Sequence, residues 1–149
     1  MEYDKAPFRS LILPFAQTAR GPELPCALYA LRNTASEPAD LALVHSAWER
    51  DPRAIEDSIL HLLMMFGGGR IEGRSEEIAL EALADYERKG GNAGINGAWG
   101  AHVGPRLEAR FLELERSKDS NVRHAAIYFG LSTFADKSPA VVDVLIRVL

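Results

Sequence analysis

Asp119-Ser120-Asn121-Val122-Arg123-His124-Ala125-Ala126-Ile127-Tyr128-Phe129-Gly130-Leu131, followed after a short break by Ser138-Pro139-Ala140-Val141-Val142-Asp143-Val144-Leu145-Ile146-Arg147-Val148-Leu149, decides the fold. Three good N-cap residue types in a row, Asp119-Ser120-Asn121, predict a helix starting at Asn121 or Val122. Val122, Ala125, Ala126, Phe129 and Thr133 recur at helical spacing, and Ile127, Leu131 and Phe134 widen the apolar face. Ala135-Asp136-Lys137 breaks the run. Ser138 is then a second N-cap, and Pro139 sits at the first helical position, where its missing N–H costs nothing. Val141, Val142, Leu145, Ile146 and Leu149 form the next apolar stripe. Neither helix can bury so wide a face alone; paired and stacked on a neighbour, both can.

The same pair is written earlier in the chain. Setting Asp51 over Asp119, an offset of 119 − 51 = 68, places Ala54 on Val122, Ile59 on Ile127, Leu63 on Leu131 and Phe66 on Phe134. Setting Ser75 over Ser138 places Ile78 on Val141, Ala82 on Leu145 and Leu83 on Ile146. The first offset is two repeats of ~34 residues, a period of helical solenoids. The earlier copy has the longer turn, Gly67 to Arg74.

Asp119, Val122-Arg123, Ala125-Ala126 and the run Pro139 to Arg147 resemble the HEAT repeat, particularly the short type also found in phycobilisome lyases. The resemblance implies that Asp119 caps an inner helix and that Arg123 reaches the Asp of a neighbouring repeat. The expected fold is all-α, a right-handed solenoid of helical hairpins of the HEAT/ARM-like kind, with roughly seven to nine helices.

The remaining chain fits one such domain over residues 1–149. Residues 1–6 read as a loose end, and Phe8 to Ala19 as a helix with Phe8, Leu11, Ile12, Phe15 and Ala19 on one apolar face, which Pro14 kinks or stops. Pro25 opens a helix to about Arg32. Ser36 caps another, which turns Leu41, Val44, Ala47 and Trp48 inward. A nearly continuous apolar helix runs from Arg53 to Phe66, and a further helix from Ser75 to Arg88. Pro105 opens a helix through Leu107, Phe111, Leu112 and Leu114, ending near Ser117. Residues 67–74 and 89–105 are glycine-rich insertions. In the second, Ile95, Trp99, His102 and Val103 keep helical spacing, so a small-residue helix competes with a loop.

Hydrophobic content of 47% and charged content of 26% are those of an ordinary water-exposed domain, and no run approaches the ~18 apolar residues of a membrane span. The net charge of −4 argues against general nucleic-acid binding. Met1 to Lys5 lacks the basic and apolar regions of a signal peptide, and Cys26 is the single cysteine, so the expected location is cytoplasmic.

No motif commands an enzyme assignment. His45, His61, His102 and His124 are scattered without zinc-site spacing, and no Gly-x-Ser-x-Gly turn is present, so neither metal nor cofactor is expected. The candidate partner-binding residues are of four kinds. Arg70 and Arg74 on the glycine turn suit a carboxylate or phosphate, against the plainer reading of a flexible insertion. Glu77, Glu81 and Asp85 form an acidic stripe suited to a basic partner, against a solvated outer face. Trp48 and Trp99 are potential anchors, against burial in the core. His102 shares the stripe of Trp99.

The expected function is a non-enzymatic protein–protein interaction module, in its specific version a small bacterial inhibitor or immunity-type protein that caps a toxic enzyme. The alternative is a HEAT-scaffold enzyme, DNA glycosylase-like or lyase-like. A positive groove lined by Arg53, Arg70, Arg74 and Arg106 would favour the glycosylase reading. The apolar Leu149 on an open stack end admits a homodimer.

Overall fold

Proline and glycine divide this chain into short helices with one apolar face each, and the observed elements follow that division. The computed structural model describes residues 6–34, 37–88, 102–131 and 138–148. Within them the chain is almost entirely helical: α1 (Ala6–Thr18), α2 (Glu23–Arg32), α3 (Asp40–Arg50), α4 (Pro52–Ile55), α5 (Ile59–Phe66), α6 (Arg74–Arg88), α7 (Pro105–Leu114), α8 (Ser120–Ala125) and α9 (Pro139–Val148). A π-helical turn, Ala126–Gly130, continues α8. Two dipeptide strands, β1 (Arg70–Ile71) and β2 (His102–Val103), pair in parallel, Arg70 opposite His102 and Ile71 opposite Val103.

Helix α1 continues past Pro14, which costs a main-chain bond at an exposed position rather than ending the helix. The single helix expected from Arg53 to Phe66 is two, because residues 56–58 turn between α4 and α5. His102 and Val103 are strand, not the end of a helix. The expectations for residues 1–5, for Ser36, for residues 89–101 and for Phe134 fall outside the described residues.

The buried positions recur. Leu24, Ala27, Leu28 and Leu31 of α2 reappear in α5 as Ile59, Leu62, Leu63 and Phe66, each 59 − 24 = 35 residues on. Val44, Ala47 and Trp48 of α3 reappear in α6 as Ala79, Ala82 and Leu83, again 79 − 44 = 35 residues on. They return as Phe111 and Leu114 of α7 and its C-cap Glu115, 111 − 79 = 32 residues further. Consecutive members of this second series pack on one another, α3 on α6 and α6 on α7; α1 packs on α3, and α2 on α4 and α5.

Polar contacts between distant elements keep the same spacing. Gly21 N–H donates to Asp51 at 2.8 Å, His45 bonds Ser75 at 2.8 Å, Arg106 N–H donates to Glu76 at 2.8 Å, and the Ser138 hydroxyl donates to Glu108; each pair is 30 residues apart. Arg9 to Asp40 spans 31, Arg147 to Glu115 spans 32, and Arg32 to the Met65 carbonyl spans 33. Two exposed ion pairs depart from it, Arg74–Glu49 at 25 residues and Arg110–Glu87 at 23.

Glu76 shows how tightly these joints are built. Its carboxylate is buried and accepts from both Arg106 N–H (2.8 Å) and Leu107 N–H (3.0 Å), two donors at the start of α7 that no helical carbonyl can satisfy. Gly104, the N-cap residue, makes room for it. A β-carbon there would lie 2.4 Å from Glu76 Oε1 and 2.7 Å from the Ile71 carbonyl oxygen. The Gly104→Ala variant is therefore expected to lose on the order of 1–3 kcal/mol, read as a lower urea midpoint; a wild-type midpoint would contradict this packing.

Candidate functional site

Among the described residues, a groove that gathers residues singled out from sequence lies where α3 ends, α4 begins and the second half of α6 passes both. Trp48, Pro52, Glu81, Ala84, Asp85 and Arg88 line it, around a volume of about 310 Å³. Trp48 is placed by the stripe of α3, with Val44 and Ala47 buried beneath it. It is itself buried, and its indole N–H donates to Glu81 Oε2 at 3.0 Å. The indole is thus a wall whose polar edge orients a carboxylate, not a protruding anchor.

The acidic stripe exists as a geometric fact. Four-residue spacing puts Glu77, Glu81 and Asp85 on one face of α6. Arg74, the first residue of that helix, pairs with Glu49 (3.3 Å) and Glu77 (3.2 Å) and lies 3.9 Å from Glu81. Hydrogen bonds that it donates to Glu77 and then Glu49 hold its guanidinium more firmly protonated than usual. Arg88 pairs with Asp85 at the other end. Four carboxylates (Glu49, Glu77, Glu81, Asp85) face two guanidiniums, so the surface keeps a negative excess that a basic side chain could complete.

The remaining candidates are dispersed. Arg70 is exposed on β1, before the N-terminus of α6, and does not reach the groove. The glycine turn is partly structural: Gly68 and Gly69 take positive φ of 64° and 85°, and Ile71 beyond them is only 1% exposed. Burying such a side chain is worth ~2 kcal/mol. His102 belongs to β2 by its backbone, and Trp99 lies outside the described residues. Arg53, Arg70 and Arg106 are exposed on α4, β1 and α7 and do not line the groove, while Arg74 is ringed by carboxylates.

Arg123 departs from what the HEAT resemblance implied. Asp119 does cap α8, accepting from Asn121 N–H (2.8 Å) and Val122 N–H (3.3 Å). Arg123, however, bends back to the Ser117 (2.6 Å) and Lys118 (3.0 Å) carbonyls just ahead of its own helix. Among the described residues it pairs with no aspartate. One exposed feature escaped the sequence reading: His124 and Tyr128 stack with ring centroids 5.5 Å apart, and Tyr128 is 64% exposed. Their four-residue spacing was the available signal.

His45 and Ser75 look like a nucleophile and its base, with Nε2 2.8 Å from Oγ. Ser75 is buried at the start of α6, so no substrate carbonyl can approach its hydroxyl, and the pair serves as a tie between α3 and α6. Among the described residues no group of three His, Cys, Asp or Glu could hold a metal ion, and no helix is long and apolar enough to cross a membrane. No family model, no curated protein and no solved structure matches the chain.

Burial, and then the nearby Arg74 charge, holds His45 below the ordinary imidazole range, with Glu49 opposing. The folded protein thus resists a proton that the unfolded chain accepts at about pH 6.5. Stability is complete above that pH and falls as pH is lowered through it towards the folded value. Urea midpoints at ~pH 7.5 and ~pH 5.5 are expected to differ less in His45→Gln than in the wild type. Equal differences would remove His45 as a source of the acid sensitivity.

Proposed function

We propose that the chain is a non-enzymatic protein-binding module, built as a right-handed stack of HEAT-like helical hairpins. The observation that carries this reading is the 30-to-35-residue recurrence of both buried positions and inter-helix polar contacts. Stacked hairpins touch only their neighbours and present a continuous surface, which serves binding without a catalytic centre. The groove between α3 and α6 supplies the contact chemistry: an oriented Glu81, a half-buried Asp85 and the Trp48 wall favour a lysine or arginine side chain of a protein partner. A small inhibitor that covers a basic enzyme is the specific form of this proposal. It is also the form most in keeping with the chain's net charge of −4. The location proposed for it is cytoplasmic.

The test is affinity capture from the source lysate with the wild type, Glu81→Gln and Asp85→Lys as parallel baits. Glu81→Gln keeps an acceptor for the Trp48 N–H. A stoichiometric partner that binds the wild type and is retained at least ~10-fold less by either variant is the expected result. A partner retained equally by all three would move the binding face elsewhere, and turnover of a nucleic-acid or pigment substrate by the purified protein would overturn the module reading.

A further inference from the structure

Helix α1 presents an outward face that carries no charge at all. Its exposed side chains are Pro7, Phe8, Ser10, Leu11, Pro14, Phe15, Gln17 and Thr18. Phe8, Leu11 and Phe15 stand out, 56%, 75% and 47% exposed, and their spacing of three and then four residues sets them in one stripe. The opposite stripe, Ile12, Leu13, Ala16 and Ala19, already packs on the core. The one charged residue within the helix, Arg9, is turned under it into a two-pronged bond with Asp40 (2.7 and 2.6 Å), leaving its side chain 12% exposed. A helix with an apolar stripe on both sides and its only charge tucked inward is built to be covered twice.

We infer that the cover is the α1 of a second copy of this chain, related by a two-fold axis. A two-fold contact sets a surface against itself, so it must be self-complementary. The outward face of α1 meets that condition because it places no like charges opposite one another, and charge depletion marks the centre of real interfaces. The stripe leaves on the order of 300 Å² of apolar surface exposed. Two copies would bury about twice that, and the Pro7, Ser10, Pro14, Gln17 and Thr18 rim brings the total to roughly 1,000 Å², the lower bound for a specific and reversible dimer.

The other end of the chain does not fit α1 as well. On α9 the exposed Ile146 and Val148 are interleaved with exposed Asp143 and Arg147. Head-to-tail stacking of α9 on α1 would bury the Asp143 carboxylate against a face that offers it no cation, which is costly. It would also propagate into a filament rather than close. Leu149, at which the sequence admitted a homodimer, lies outside the described residues; the contact proposed here is at Phe8, Leu11 and Phe15.

Sedimentation equilibrium of the full chain over ~1 to ~300 µM is the experiment. The expected result is a monomer–dimer equilibrium that stops at two copies. Leu11→Asp is expected to shift it to monomer over the whole range, whereas Ile146→Asp leaves it intact. In a Cys26→Ser background, Leu11→Cys is expected to oxidise to a covalent dimer and Ile146→Cys to remain monomeric. If Leu11→Asp fails to give the wild-type circular dichroism spectrum, Phe8→Gln replaces it with the same expected shift. A wild type that is monomeric throughout, a mass that keeps growing past two, or a dimer dissolved by Ile146→Asp but not by Leu11→Asp would each overturn the proposal.

Discussion

A single buried carboxylate shows what the architecture rests on. Glu76 reaches out of α6 and accepts the Arg106 and Leu107 N–H groups at the start of α7. Those donors are the positive end of the α7 dipole, so a carboxylate is the best group to meet them. The bond does two jobs that separate side chains usually divide. It caps one helix, and it fixes the sideways register of two helices whose connecting segment is long. The parallel pairing of β1 with β2 sets the same register from the backbone side. With Glu76 in place, Gly104 can be only glycine, because Glu76 and the Ile71 carbonyl occupy the space a side chain would need.

Related joints hold the other members of the row. Glu108 of α7 receives the Ser138 hydroxyl at the start of α9, one helix further along and in the same sense. Earlier, Arg9 of α1 grips Asp40 of α3, whose carboxyl is held below its usual range chiefly by that hydrogen bond. His45 ties α3 to Ser75 of α6. Each joint links one helix to the next in the row. Apolar burial supplies the bulk of the stabilisation, but it is non-directional; these polar ties choose which helix faces fit together. In the proposed stack they also leave the outer surfaces free for a partner, at the α3–α6 groove, and for a second copy, at α1.

Helix positions were largely legible in the sequence, because Ser138-Pro139, Asp119 and Pro105 mark starts, and helical spacing assigns Val44, Ala47, Trp48, Leu107 and Phe111 to the interior. The joints were less so. Glu76 reads as one more acid in an exposed first turn, and nothing local reveals that the next helix lies over it. Leu83 and Ile146 matched by alignment, yet Leu83 is fully buried and Ile146 is 68% exposed, since α6 has a helix on each side and no described helix covers that side of α9. Arg123 sits in the motif position but finds nearer carbonyls first. The site shows the same division: α6 gathers Glu77, Glu81 and Asp85 and pairs Glu77 with Arg74 and Asp85 with Arg88 at local i,i+3 spacing, while the Trp48 bond that orients Glu81 comes from 33 residues away.

Neighbour-by-neighbour coupling is the claim on which the proposed architecture stands, and native-state hydrogen exchange of Arg9→Ala tests it most directly. The substitution strands the buried Asp40 carboxyl at the joint between α1 and α3. In a stack coupled through neighbours, amide protection falls in α1, α2 and α3 while α7, α8 and α9 keep their wild-type rates. A uniform loss of protection from α1 to α9 would show one indivisible core and contradict it.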